Sequence, residues 1–110
     1  MLGSDGIRGY NDTMILSILR QGDSYGYAIS QQIARRTGGV YTMKETTLYS
    51  AINRLEKSGY LSSYSGTESH GKPRTYFHIT PAGERYFHEK CKEWKLTKQV
   101  VDLFAKEETI

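Results

Sequence analysis

One stretch of this 110-residue chain, Glu45 to Thr80, constrains the fold more than any other. Its first part runs Glu45-Thr46-Thr47-Leu48-Tyr49-Ser50-Ala51-Ile52-Asn53-Arg54-Leu55-Glu56-Lys57-Ser58 and closes at Gly59. Leu48, Ala51, Ile52 and Leu55 share one stripe of a helix, and Thr46, Ser50, Asn53, Arg54 and Lys57 lie opposite. Residues 61–65 and 75–79 then read as an antiparallel pair of strands, joined by a Gly- and cation-rich loop over 65–74. A polar, basic helix followed by a two-stranded arm describes a helix-turn-helix with a wing. That geometry suits the groove of a nucleic acid duplex.

The rest of the chain supplies the other helices. The run Thr13-Met14-Ile15-Leu16-Ser17-Ile18-Leu19 predicts a helix over roughly 10–21, capped by Asn11 or Asp12 and stopped at Gln21-Gly22-Asp23. Asp23-Ser24 is expected to cap a second helix with apolar positions Tyr25, Ala28, Ile29 and Ile33, ending at Gly38-Gly39 behind Arg35-Arg36. Thr42 and Glu45 form a candidate capping box for the third, with Lys44 as the alternative cap. Thr80-Pro81 opens a last helix that is expected to run to about Lys106, with apolar positions Phe87, Cys91, Trp94, Val101 and Phe104. A helix of about 27 residues at roughly 1.5 Å each reaches about 40 Å, more than the body beneath it. A second subunit is the simplest cover for its stripe, and a chain cut after about residue 90 is expected to unfold or aggregate. The fold class is therefore mainly α with a small β-hairpin. Residues 1–80 form a winged helix-turn-helix DNA-binding domain, and 81–110 form a C-terminal dimerisation helix in one continuous unit.

Charge narrows the partner. The net charge is +3. Residues 44–74 carry five Lys/Arg against three Asp/Glu, while 75–110 carry six of each. The excess sits on the reading unit and favours a polyanion. A single cysteine, Cys91, allows no intrachain disulfide and suits a reducing cytoplasm. No run reaches the length of a membrane span, and the first residues lack the pattern of a signal peptide, so a cytoplasmic protein with a short flexible N-terminus is expected.

The short or flat side chains Thr46, Thr47, Ser50 and Asn53 allow close approach and hydrogen bonding to base edges. Arg54, Lys57, Lys72 and Arg74 are candidate phosphate contacts. Tyr49 flanks the reading face, and Tyr25 and Tyr27 open the second helix, where hydroxyl contacts to phosphate are common. Trp94 is either a packed interface residue or an aromatic wall for a flat ligand between two subunits. His88 and Cys91 stand three apart, but His70 and His78 are scattered, so no metal site and no cofactor are expected. No nucleophile elbow, phosphate loop or telling carboxylate pair occurs, so the chain does not read as an enzyme. Two alternatives stay open: a winged helix used as a protein-interaction module, and a thiol redox sensor acting through Cys91.

The order of these pieces resembles the PadR family of transcriptional regulators. The resemblance rests on Ile7-Arg8-Gly9 before Asp12–Leu16, on Gly22-Asp23-Ser24-Tyr25-Gly26-Tyr27, and on Thr46-Thr47-Leu48-Tyr49 with Leu55–Leu61. Gly71–Phe77 through Ile79–Gly83 completes it. It covers nearly the whole chain, and the short tail is similar to the subgroup that includes multidrug regulators. The resemblance implies a homodimer swapped through the last helix, binding operator DNA near its own promoter and repressing an efflux or stress gene. It places Thr13, Ser17, Phe87, Cys91, Trp94, Lys98, Val101 and Phe104 around a ligand pocket and dimer interface, with Trp94 stacking a planar aromatic effector. Lys98 stands where drug-binding members carry an acid, so neutral or anionic planar compounds are expected to be preferred. Lys44 stands in place of a small capping residue.

Overall fold

A computed structural model describes residues 7–67 and 71–107. The expected flexible N-terminus at residues 1–6 and the loop residues Glu68, Ser69 and His70 lie outside the described residues. After a 3-10 turn at Arg8–Tyr10 the chain forms α1 (Asn11–Leu19), α2 (Gly26–Arg36) and α3 (Glu45–Lys57). The hairpin β1 (Leu61–Thr67) and β2 (Pro73–Ile79) follows, then α4 (Pro81–Asp102). This is the winged helix-turn-helix with a long terminal helix that the sequence predicts.

The stripe of α3 carries the packing. Leu48, Ala51, Ile52 and Leu55 are each buried against Ile15, Leu16, Leu19 and Ile29, and Leu61, Phe77, Ile79 and Phe87 close the cluster from the hairpin and α4. Tyr41 donates its buried hydroxyl to Asn11 Oδ1 at 2.8 Å, pinning the extended segment before α3 to the start of α1. At the end of α3, Tyr60 N–H reaches the Leu55 carbonyl (2.9 Å) and Gly59 N–H the Glu56 carbonyl (3.0 Å). This closure requires Gly59 at φ +80°, which glycine alone adopts readily. Thr80 then caps α4: its hydroxyl accepts from Gly83 N–H (3.0 Å) and donates to the Gly59 carbonyl (2.6 Å). Gly83 is buried so tightly that a Cβ there would overlap the Tyr60 carbonyl oxygen. The first turn of α4 is thus locked to the turn after α3, which fixes where the wing leaves the body.

Several boundaries differ from expectation for local reasons. The first helix stops at Leu19 because Gln21 and Gly22 N–H turn back tightly to Ile18 and Leu19. The second begins at Gly26, and Tyr25 occupies its cap without a side-chain bond. Asp23 and Ser24 do not cap it. Ser24 instead exchanges backbone bonds with Phe77 (2.7 and 3.2 Å), adding an edge to β2. Lys44 sits at the α3 cap and the Thr42–Glu45 box does not form. Each strand is two residues longer than expected, to Gly66↔Arg74 and Thr67↔Pro73. The last helix ends at Asp102, so its 22 residues span about 33 Å and Phe104 lies beyond it.

Candidate nucleic-acid interface

Opposite the buried stripe of α3, Thr46, Ser50, Asn53 and Lys57 are all exposed at i, i+4, i+7 and i+11. Thr47 is half-buried on one flank of this strip, and Tyr49 stands on the other. The Tyr49 ring crosses to the start of α2 and sets its hydroxyl over Gly26, where any Cβ would overlap it. Gly26 therefore sets the spacing of α2 against α3. Sequence reasoning missed it; the available signal was a glycine in the first turn of a helix, a place that propensity alone disfavours.

Arg54 has a partner within the chain. Its Nη2 lies 2.6 Å from Asp12 Oδ1, and the Asp12 side chain is only 17% exposed. Arg54 therefore links α3 to α1 while its side chain stays 58% exposed beside the strip.

The wing lies beside the strip. Lys72 is exposed just ahead of β2. Arg74 is half-buried, with its guanidinium 3.7 Å above the Tyr25 ring. Tyr25 meets the edge of Tyr76 at 5.8 Å, and Tyr76 stacks on Tyr64 at 5.7 Å. Tyr25 is thus a platform for the wing, while Tyr27 stands 69% exposed on α2. A cleft of about 510 Å³ opens between Tyr25, Tyr49, Asn53, Arg74 and Thr75. At the wing base, Tyr64 donates its hydroxyl to Asp23 Oδ2 (2.6 Å) and His78 Nδ1 lies 2.7 Å from Asp23 Oδ1. The Tyr64 hydrogen bond, then that of His78, holds the Asp23 carboxyl below its ordinary range, and the same Asp23 bond pushes the Tyr64 phenol up. Neither Asp23, Tyr64 nor His78 stood among the expected site residues.

The residues expected around a ligand pocket divide into two places. Thr13, Cys91, Trp94, Lys98 and Val101 come together with Tyr10 in an open, largely apolar pocket of about 690 Å³. The Tyr10 ring meets Trp94 edge-on at 4.9 Å. Asp102 lines the same pocket one turn after Lys98, so the wall carries a charge of each sign rather than the positive one expected. Ser17 and Phe87 line a neighbouring groove that shares Thr13 and Met14 with that pocket and adds Ile33. Phe87 is only 9% exposed and belongs to the core of its own chain, with Arg20 4.7 Å over its ring. Phe104 is 83% exposed and joins neither pocket. The sequence reading passed over Leu96, Val100 and Leu103, which form a second exposed apolar face of α4 and its end. Their i, i+4, i+7 spacing was the available signal.

Among the described residues no group of three His, Cys, Asp or Glu side chains could hold a metal ion, and no helix is long and apolar enough to cross a membrane. A helix-turn-helix with an exposed polar strip on its second helix and a hairpin arm beside it defines the winged-helix class of DNA-binding folds. Within that class the chain belongs to the PadR-like family of transcriptional regulators, whose model matches residues 15–89. The family and its structural neighbours are regulators, not enzymes. An uncharacterised protein of Lysinibacillus sphaericus is 44% identical over 104 residues, covering 94% of this chain and 95% of its own. A transcriptional regulator from Clostridium thermocellum superposes with a TM-score of 0.89 at 56% identity, covering 96% of this chain and 100% of its own. Bacillus subtilis PadR, solved in complex with operator DNA, shares the fold at 18% identity with a TM-score of 0.62, covering 90% of this chain and 49% of its own.

Proposed function

We propose that this protein is a homodimeric, cytoplasmic repressor that reads operator DNA through α3 and responds to a planar aromatic effector. Its target is its own operon or an adjacent transporter or stress gene. The observation that carries the DNA reading is the exposed strip Thr46, Ser50, Asn53 and Lys57, set directly opposite a fully buried stripe and beside Lys72. The strip is narrow and polar, suited to a duplex groove, with exposed Glu45 and Glu56 along its Tyr49 flank and Glu56 held by the Ser63 hydroxyl. Ser50 and Asn53 read base edges, with Thr46, Thr47 and Tyr49 at their flanks. Lys57, Lys72, Tyr27 and, from its seat on Tyr25, Arg74 follow the phosphates. Arg54 stands beside them, paired with Asp12 yet exposed.

The dimer reading rests on two complementary features of one chain: the exposed Leu96, Val100 and Leu103, and the apolar groove lined by Thr13, Met14, Ser17 and Phe87. A swapped α4 places the first against the second. The effector then lies in the Trp94 pocket, where the opposed charges of Lys98 and Asp102 favour neutral planar compounds over either ion.

The test is a mobility shift on the DNA upstream of the coding sequence. With about six phosphates neutralised, log affinity should fall with a slope of roughly −5 against log salt. A flat salt response, or equal affinity for operator and random DNA, removes the reading. Trp94 is the sole tryptophan, so its fluorescence reports effector binding directly. If neutral, anionic and cationic planar compounds all leave it unquenched, the effector reading fails while the DNA reading stands.

A further inference from the structure

The distal half of the wing has no apolar anchor. In β1 only Leu61 is buried, and in β2 only Phe77 and Ile79, all at the base. Residues 62–67 and 73–76 therefore gain no direction from the core, and a two-stranded hairpin alone is marginally stable in water. The backbone tie at Ser24–Phe77 also sits at the base. On the core-facing side Ser63 donates its hydroxyl to Glu56 Oε2 of α3 at 2.7 Å, also near the base. The rest of the wing is therefore directed by the side chains on its outer face, opposite Leu61, Phe77 and Ile79.

Those side chains form a connected series that begins at Asp23. The register places Ser62 opposite His78 and Tyr64 opposite Tyr76, so Tyr64, Tyr76 and His78 share one face of the hairpin. Asp23, in the turn between α1 and α2, holds one residue of each strand: Tyr64 at 2.6 Å with one oxygen and His78 at 2.7 Å with the other. A single bond would leave the hairpin free to twist; two bonds on different strands fix both tilt and twist. Bonds to a charged carboxylate are also stronger than neutral ones. From Tyr64 the series continues by stacking to Tyr76, edge contact to Tyr25, and the Arg74 guanidinium over Tyr25. Gly66 makes room for it, since a Cβ there would overlap the Tyr76 ring. The series ends two residues from Lys72.

We propose that Asp23 is the positioning residue of the wing: its two-strand bond to Tyr64 and His78 sets where Lys72 meets the DNA backbone. This rests on the reading of the wing as a DNA-contacting arm. Asp23 itself touches no DNA. It acts through the hairpin, and its removal lets the arm wander while the body stays folded, because none of its partners belongs to the buried cluster.

The experiment is a double-mutant cycle on the full chain, with affinity for upstream DNA and its salt slope as readouts. Lys72→Ala should weaken binding about tenfold and lower the slope by about 0.9 for each phosphate it no longer neutralises. Asp23→Ala should reproduce most of that loss of affinity and of slope, although it deletes an anion and leaves every cation in place. The double variant should bind no more weakly than Asp23→Ala alone. Additive losses overturn the proposal and leave the wing as a DNA contact. A silent Lys72→Ala overturns both the proposal and the wing reading beneath it. Thermal unfolding of each variant checks that the body persists; should Asp23→Ala unfold, Tyr64→Phe, which removes a single exposed hydroxyl, completes the same cycle. A Tyr64→Phe loss that simply adds to that of Lys72→Ala again overturns the proposal.

Discussion

The body of this molecule and the last turns of α4 solve opposite problems. In the body, every buried apolar residue from Ile15 to Phe87 finds its cover within the same chain. Beyond Phe87, α4 carries Trp94, Leu96, Val100, Val101 and then Leu103, all at least 46% exposed. The body leaves open the groove beside Phe87 and one wall of the Trp94 pocket, and carries the polar strip on α3. The tail presents an apolar surface that its own chain leaves uncovered. The proposed reading and assembly surfaces thus lie at different ends of one chain, and substitutions should separate them.

The largest separation should come from the tail. Replacing Leu96, Val100 and Leu103 together by Ser removes three apolar side chains per subunit, each worth about 1.5–3 kcal/mol when buried. The dimer dissociation constant should rise by about three orders of magnitude or more in sedimentation equilibrium. The body should still unfold cooperatively, now with a midpoint independent of protein concentration. Because the buried core ends at Phe87, a chain cut after residue 90 should behave in the same way, contrary to what the sequence alone suggests. A tail variant that loses its fold along with its dimer would show that the body is not self-sufficient.

Next in size is Gly83→Ala, which drives a Cβ into the Tyr60 carbonyl and pries α4 from the turn after α3. Overpacking of this kind costs about 1–3 kcal/mol, read as a lower urea midpoint with unchanged slope. Gly9→Ala, where nothing lies within 4 Å, is the neutral control. A smaller effect on stability, but a selective one on DNA, is expected from Gly26→Ala. The Tyr49 ring can swing away from the new methyl, so stability should fall by less than about 1 kcal/mol. The strip of α3 loses its fixed distance from α2, and operator affinity should drop about tenfold while random-DNA affinity changes little. Equal losses on both DNAs would show that Tyr49 and Gly26 do not set the reading geometry.

The contrast between body and tail also explains what the sequence could reveal. The α3 stripe and its closing Gly59, the Thr80-Pro81 start and the hairpin are local signals, and each appears where its residues predict. The misreadings involve competition between local and distant partners. Asp23 and Ser24 are good caps, yet β2 takes both, one through its carboxylate and one through its backbone. Arg54 keeps the helical phase of a flank of the strip and also pairs with Asp12, far away in the chain, a contact that local pattern does not reveal. On α4 the stripe through Phe87 and Trp94 dominates the pattern and hides the second face at Leu96, Val100 and Leu103. A helix with two apolar faces has no single apolar stripe, and periodicity of one stripe then understates the surface.

The smallest expected effect concerns the Asp23 bond and its limits in pH. A carboxyl held below its ordinary value of 3.8 stabilises the folded wing wherever it is ionised. That contribution is fully present above the ordinary value and is lost as the pH falls through the folded one. Tyr64 bounds the other side: its phenol is raised above the ordinary value of 10.0, chiefly by donating to Asp23. Its contribution is present below that value and is lost as the pH rises through the folded one. The bond should therefore hold across a broad window between the carboxylate and phenol ranges and open at both ends. With Tyr64 labelled in the ring, its shift should titrate later than a free phenol in the native protein. In Asp23→Ala it should move back to lower pH, while Tyr41 and Tyr86, raised chiefly by burial in the body, should not move. If Tyr64 titrates at the same pH in both proteins, the Tyr64–Asp23 bond does not persist in solution, and the wing is oriented by its aromatic contacts together with the Ser24–Phe77 and Ser63–Glu56 bonds.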